Sequence, residues 1–119
     1  MTIEQLVSLL LGILIVGEAI LLFIGLYLLD KTKAEWKTNF NTNTLLMDIA
    51  FGVIIVFNAF EPMTFIWIAV LALLITHLYR EAEYFYKDKK TRFLFNPPLF
   101  ILNSIKLLGL VLLVLLLLV

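Results

Sequence analysis

The chain has 119 residues, 63% of them hydrophobic and 15% charged, against roughly 45–50% and about 25% in an ordinary soluble domain. With a mean hydropathy of +1.08, so small a chain cannot bury its apolar surface in a core of its own, and the composition predicts an integral membrane protein. Nine basic residues balance nine acidic ones, which leaves no positive field for nucleic acid. The absence of cysteine excludes disulfides, thiolate metal sites and cysteine nucleophiles.

The first apolar run, Leu6 to Leu29, is broken only by Ser8, Gly12, Gly17, Gly25 and Glu18. It exceeds the ~20 residues that cross a bilayer core and predicts a span over about 5–29. A cleaved signal peptide is not expected, because no basic segment precedes the run and no small-residue cleavage site follows before Asp30. A polar stretch with Lys31, Lys33 and Lys37 separates it from a second run, predicted as a span over 44–60. Glu61-Pro62 then reads as a tight turn, with Pro62 at the first helical position and Glu61 beside the helix N-terminus. The third span is predicted over 63–79, with a helical extension to about residue 90. In that extension Tyr79, Ala82 and Phe85 recur at three-residue spacing, and Glu83–Lys87 and Asp88–Arg92 are favourable i,i+4 pairs. Asn96 as N-cap and Pro97 as first helical residue open a last span over 97–119.

The expected fold is therefore all-α: a single domain over 1–119, an integral membrane four-helix bundle made of two hairpins. Lys31, Lys33 and Lys37 lie in one loop, and Arg80, Lys87, Lys89, Lys90 and Arg92 in another. Four spans put both loops on one face, which the positive-inside rule makes cytoplasmic, with both termini outside. This predicts a multi-pass protein of the plasma or inner membrane. Phe57, Phe60, Phe65 and Trp67 would form the outer aromatic belt. Trp36, Tyr79, Tyr84, Tyr86, Phe93 and Phe95 would form the inner one. Lys87, Lys89 and Lys90 are candidate contacts for anionic lipid headgroups, worth about 1 kcal/mol each; the alternative is that they only set topology.

Polar residues inside the spans are the candidate functional residues, since each unpaired ionised group there costs several kcal/mol. Glu18 lies about 16 Å and Lys106 about 13 Å from the inner face, while Asp48 and His77 lie at about 5–6 Å. Matching depths pairs Glu18 with Lys106 and Asp48 with His77, and Asn103 shares a face with Lys106. Such residues form either a polar path for a proton or cation, or contacts that dock the helices. A third arrangement has Lys106 reaching to the inner surface beside a protonated Glu18. Ser8-xxx-Gly12 and Ala72-xxx-Thr76 are spacings that let helix backbones approach. The last span, Leu107 to Val119, is Leu and Val with one glycine, a smooth surface for lipid or a partner.

No catalytic constellation emerges. There is one histidine, no Gly-rich phosphate loop and no His-Glu-x-x-His zinc helix. Ser8 and Ser104 lack a suitable base, and Asp48 with His77 supplies too few ligands for a metal. The expectation is a non-enzyme without cofactor, its partners the lipid bilayer and either another membrane protein or further copies of itself. Gly12-x4-Gly17-Glu18 in a four-span chain of this size resembles in outline the small multidrug resistance transporters. That resemblance implies an oligomeric transporter with Glu18 as its coupling carboxylate. Trp67 without a nearby glycine, long charged loops and a Leu-rich final span depart from the pattern of those proteins. The leading expectation is an accessory, regulatory or assembly subunit of a larger membrane complex, with the oligomeric transporter or channel as the alternative.

Overall fold

A computed structural model describes residues 2–25, 39–62, 64–88, 94 and 97–119, with side chains of the second helix described from Thr42 onward. The described residues form four helices, α1 (Ile3–Leu22), α2 (Asn39–Asn58), α3 (Ile66–Tyr86) and α4 (Pro97–Leu118), and no strand. α1 packs on α2, α2 on α3, α3 on α4, and α4 closes the ring against α1. Neighbours run antiparallel. Ser8 meets Ile55 and Gly12 meets Gly52, while Glu18 meets Lys106 and Tyr84 meets Phe100.

Local chemistry sets the helix ends. Thr2 and Gln5 form a reciprocal capping box: the Gln5 N–H donates to Thr2 Oγ1 at 3.2 Å and the Thr2 N–H to Gln5 Oε1 at 2.8 Å. Beyond Leu22 the chain continues through Phe23–Gly25 as a wider π-type turn; the expected residues 26–29 of that span lie outside the described set. α2 begins at Asn39, five residues ahead of the expected start at 44. Thr44 and Leu45 are already buried, so the helix has to be turning before it reaches them, and packing overrides the weak preference of the Asn/Thr run.

The expected start of α3 is corrected. Pro62 does not open the helix, and α3 begins at Ile66 with Phe65 as an N-cap that makes no side-chain bond. Ala59 and Phe60 donate to the carbonyls of Val56 and Phe57, three residues back, and Glu61 also donates to Phe57. These tight bonds use up the residues around Pro62 in closing α2. Glu61 therefore lies too far ahead of α3 to act on its N-terminus. Pro97 does stand first in α4; Asn96 lies outside the described residues.

α1 and α2 pack with their backbones unusually close. A Cβ at Gly12 would sit 2.6 Å from Val56 Cγ2 and 2.9 Å from the Val56 backbone nitrogen, and one at Gly52 would sit 2.6 Å from Val16 Cγ2. Ser8, one turn before Gly12, donates from Oγ to the Ile55 carbonyl at 2.5 Å. The Ser8-xxx-Gly12 spacing is thus met on α2 by Gly52, a partner that spacing within one helix could not name.

The interior holds two separate apolar clusters. The larger joins Leu11 and Ile15 of α1, Ile55 of α2, Ile66, Ala69, Val70 and Leu73 of α3, and Leu110 and Leu113 of α4. The smaller joins Ala19, Leu22, Leu45 and the inter-helix residue Leu94, with Phe23, Ile49, Tyr84, Leu99 and Phe100 packed against it. Tyr84 stacks on Phe100 with ring centroids 4.1 Å apart. Between these two clusters every helix turns polar residues into the interior: Glu18, Asp48, His77 with Arg80, and Asn103 with Lys106. By length and composition α1 with its extension and α4 are long and apolar enough to cross a membrane, whereas the apolar stretch of α2, Thr42–Asn58, is shorter.

Candidate functional site: a buried polar layer

Glu18 from α1, Asp48 from α2, His77 and Arg80 from α3, and Asn103 and Lys106 from α4 are all buried. They lie between the two apolar clusters and form one layer to which every helix contributes. α3 contributes most because Thr76, His77, Arg80 and Glu83 recur at helical spacing and all face inward. The opposite stripe of the same helix, Ile68, Leu71, Ile75, Leu78 and Phe85, is exposed.

Two ion pairs anchor the layer. Lys106 Nζ lies 3.0 Å from Glu18 Oε2, and Arg80 Nη1 donates to Asp48 Oδ2 at 2.7 Å. Lys106 is also within electrostatic reach of Asp48 and Arg80, and His77 of Lys106 and Arg80, so the two pairs act as one neutral cluster. At 3.0 Å and an effective dielectric near 20, Coulomb attraction is about 5 kcal/mol. Removing the two ions from water costs several kcal/mol each. The pair is thus close to break-even as a source of stability, and its consequence is specificity, because no other register leaves all four charges matched.

A hydrogen-bonded arm runs from α3 to α4. Asn103 Nδ2 donates to the His77 carbonyl at 3.2 Å and to Glu81 Oε1 at 3.0 Å, and Ser104 Oγ donates to the same Glu81 oxygen at 2.6 Å. His77 Nδ1 lies 2.7 Å from the Leu73 carbonyl. A carbonyl only accepts, so Nδ1 carries the proton and Nε2 faces the layer. Glu18 Oε1, Asp48 Oδ1, His77 Nε2 and Asn103 Oδ1 have no hydrogen-bond partner among the described residues. With the Nδ1-protonated tautomer, each of these buried atoms is an acceptor.

The depth argument pairs Glu18 with Lys106, and the structure places them in contact. It also pairs Asp48 with His77, and here the structure differs: Asp48 takes Arg80, and His77 bonds within its own helix. The error came from reading Arg80 as a loop charge. α3 runs unbroken through it to Tyr86, which brings a guanidinium, the better fork for a carboxylate, inside the bundle. Asp48 and His77 are also deeper than expected, each nine residues from its helix end, or about 14 Å. Asn103 reaches the layer on the same face as Lys106. Sequence reasoning put Arg80 in a loop, paired Glu83 only with Lys87, and did not assign Glu81 or Ser104 to the contact of α3 with α4; the polar stripe Thr76-His77-Arg80-Glu83 opposite an apolar stripe was the signal that could have placed Arg80 and Glu83 inside.

At the C-terminal end of α3, Lys87 Nζ lies 3.3 Å from Glu83 Oε2 and 5.8 Å from the Tyr79 ring centroid. Partial burial works to lower the pKa of Lys87, but the Glu83 carboxylate and the Tyr79 hydroxyl outweigh it and raise it above its ordinary value. Lys87 is therefore held by its own helix, while Lys89 and Lys90 lie outside the described residues, as do Lys31, Lys33, Lys37 and Arg92. Tyr79, Ala82 and Phe85 lie on the helix that their spacing predicts and are exposed, with Phe85 edge-on to Phe100 at 5.4 Å between ring centroids. No group of three or more His, Asp or Glu that could hold a metal occurs among the described residues. No protein-family model matches the chain, and neither does any curated protein or solved structure.

Proposed function

We propose that the chain is a multi-pass integral membrane protein of the plasma or inner membrane, with all four helices spanning, both termini outside and its basic loops cytoplasmic. Several features support this. Exposed and buried chemistry are inverted: Asp48, His77, Arg80, Asn103 and Lys106 lie within, while Leu108, Leu112, Leu115, Ile68 and Ile75 lie on the surface. The most apolar window of α4 is only 22% buried, unlike the core helix of a soluble protein. Exposed aromatics stand at both ends of the central hairpin, Phe57, Phe60 and Phe65 at one and Tyr79, Phe85 and Tyr86 at the other. The 21-residue α3 separates those ends by about 30 Å, the thickness of a hydrocarbon core. Arg80, counted at first among the loop charges, belongs to the interior, and a four-span topology assigns the other seven cations of the two basic segments to one side by sequence order.

Within the membrane the protein acts as a non-enzymatic accessory or assembly subunit of a larger complex. The observation that carries this reading is that the buried charges neutralise one another and are covered by apolar clusters on both sides, so the outer surface alone is available to a partner. The test is native mass spectrometry of the protein gently extracted from its host, with Ser substituted singly at Leu108, Leu112 and Leu115. A stoichiometric complex with a different membrane protein, lost on substitution of that stripe, is the expected result. A homo-oligomer indifferent to it would overturn the reading.

The four partnerless acceptors favour a second reading, an oligomeric transporter or channel in which Glu18 handles a proton or cation. Its test is flux in Glu18→Gln: loss of flux with assembly intact would put this reading first, and unaltered flux would remove Glu18 as the coupling residue.

A further inference from the structure

We propose that Glu81, half-buried in the seam between α3 and α4, docks a basic side chain from a membrane-spanning helix of a different protein. The proposal rests on the accessory-subunit reading above and names the chemistry of the partner. The three carboxylates buried within the bundle each hold a cation: Glu18 holds Lys106 at 3.0 Å, Asp48 holds Arg80 at 2.7 Å and Glu83 holds Lys87 at 3.3 Å. Glu81 differs. Its Oε1 accepts from Asn103 Nδ2 at 3.0 Å and from Ser104 Oγ at 2.6 Å, two neutral donors that fix the carboxylate without cancelling its charge. No cation pairs with it among the described residues, and its Oε2 takes no hydrogen bond from them. The side chain is half-buried, so it is anchored in the seam and still open to a neighbour.

Depth and surroundings define what fits. Glu81 lies five residues before the end of α3 at Tyr86, about 7–8 Å inside the cytoplasmic boundary. Ser104, which holds it, opens a stripe of α4 that continues at helical spacing through Leu108, Leu112 and Leu115, all exposed. The carboxylate therefore stands at the cytoplasmic end of the surface on which the partner is proposed. A helix laid along that stripe strips Glu81 of interfacial water. If the helix is wholly apolar, an ionised carboxylate is left unpaired in hydrocarbon, and the contact is disfavoured. A Lys or Arg on the docking helix, about one turn to the cytoplasmic side of the residue that meets Leu108, removes that cost and adds a charge-assisted hydrogen bond. A second copy of the chain does not bring such a group from its described residues. Arg80 and Lys106 are buried in their own ion pairs. Lys87 is paired with Glu83 and lies about 9 Å further toward the headgroups. The partner is thus a different chain, and Glu81 selects both its charge and its height.

The experiment measures binding of the full chain, in mixed micelles, to fluorescent synthetic Leu/Ala membrane helices. Three of them carry Lys, Gln or Glu at the fifth residue from one end, and a fourth carries Lys at its centre. The wild type is expected to bind the first Lys helix about thirtyfold more tightly than the Gln helix, the lower end for a desolvated, hydrogen-bonded charge pair. The Glu helix should bind least, and the centred Lys should lose the advantage. Glu81→Gln keeps the oxygen that Asn103 and Ser104 bond and removes only the charge, so it should bind the Lys and Gln helices equally. No binding of the Lys helix to the wild type, equal binding of the Lys and Gln helices, or a Lys preference that survives Glu81→Gln would overturn the proposal. So would self-association of the chain that depends on Glu81, which would give the site to a second copy. If Glu81→Gln does not fold, the order Lys, Gln, Glu on the wild type decides. The accessory-subunit reading fails separately, on a homo-oligomer from the host; a native complex that is lost in Leu108→Ser but unaltered in Glu81→Gln would keep that reading and sink this proposal.

Discussion

Lys106→Met removes the ammonium from the polar layer while preserving most of the volume of a side chain that is 2% exposed. The Glu18 carboxylate, 3.0 Å away in the wild type, is then left without its counter-charge between two apolar clusters. Removing one partner of a buried ion pair costs about 3–5 kcal/mol. Protonating an ordinary glutamate at pH 7 costs about 4 kcal/mol, which caps the penalty near the same figure. Glu18→Gln should cost less, about 2–3 kcal/mol, because Asp48 remains within electrostatic reach of Lys106. The double variant Glu18→Gln/Lys106→Met leaves no unpaired charge and should return to within about 1 kcal/mol of the wild type. The assay is reversible unfolding in mixed micelles followed by tryptophan fluorescence, for which Trp67, packed against the larger apolar cluster, is an internal reporter. A coupling energy of at least about 3 kcal/mol is expected from the cycle. Additive effects, with coupling below about 0.5 kcal/mol, would show that the two groups are solvated separately and would refute the layer as an electrostatic unit.

The same unfolding assay separates two glycines. Gly12→Ala should destabilise by about 1–3 kcal/mol because its Cβ would press on the α2 backbone; Gly17→Ala, with nothing within 4 Å, should be neutral or stabilise by up to about 1 kcal/mol. Arg80→Gln should cost about 3–5 kcal/mol if the residue is the interior partner of Asp48, whereas a solvated loop charge would cost no more than about 0.5 kcal/mol. Since the chain has no cysteine, a single Cys at Glu61 should react with an impermeant thiol reagent on intact cells and one at Lys89 should not; the reverse pattern would invert the proposed orientation.

Helix number and rough bounds were legible because apolar runs, proline positions and charge clusters are local signals. The paired depth of Glu18 and Lys106 could be worked out from helical rise alone. Arg80 was not legible by the same route, because counting cations treats every Lys and Arg near a helix end as solvated. The helix was expected to run past Arg80 to about residue 90, so what the count of cations lacked was the face of α3 on which Arg80 falls, the buried one with Thr76, His77 and Glu83. That face makes Arg80 a structural group and moves Asp48 from His77 to a better partner. Gly52 was hidden for a related reason: a single small residue in α2 has no meaning until Gly12 of another helix is set against it. The start of α3 was missed because Pro62 suits both a first helical position and a turn, and only the hydrogen bonds of Ala59, Phe60 and Glu61 decide between them.

The distribution of polar groups explains how so uniform a sequence reaches one arrangement. Lipid tails are as apolar as Leu, so in a bilayer the hydrophobic effect does not distinguish one helix pairing from another. α4 is the extreme case, since from Leu107 onward it offers only Leu, Val and one glycine, and any of its faces would serve a neighbour equally well. Its rotation and its height are specified instead by the short stretch Asn103, Ser104 and Lys106, which meets the His77 carbonyl, Glu81 and Glu18. A shift of one turn, about 5 Å, would leave Lys106 and Glu18 both unmatched, at a cost of several kcal/mol for each. Shape specifies the α1–α2 contact, where Gly12 and Gly52 allow close approach, while charge and hydrogen bonds specify the contacts of α3 and α4. The near break-even energy of the buried ion pairs is consistent with this division, because what they contribute is the penalty on every competing register. The featureless outer stripe of α4 is left unconstrained by the fold, which is why it is the surface on which a partner is proposed.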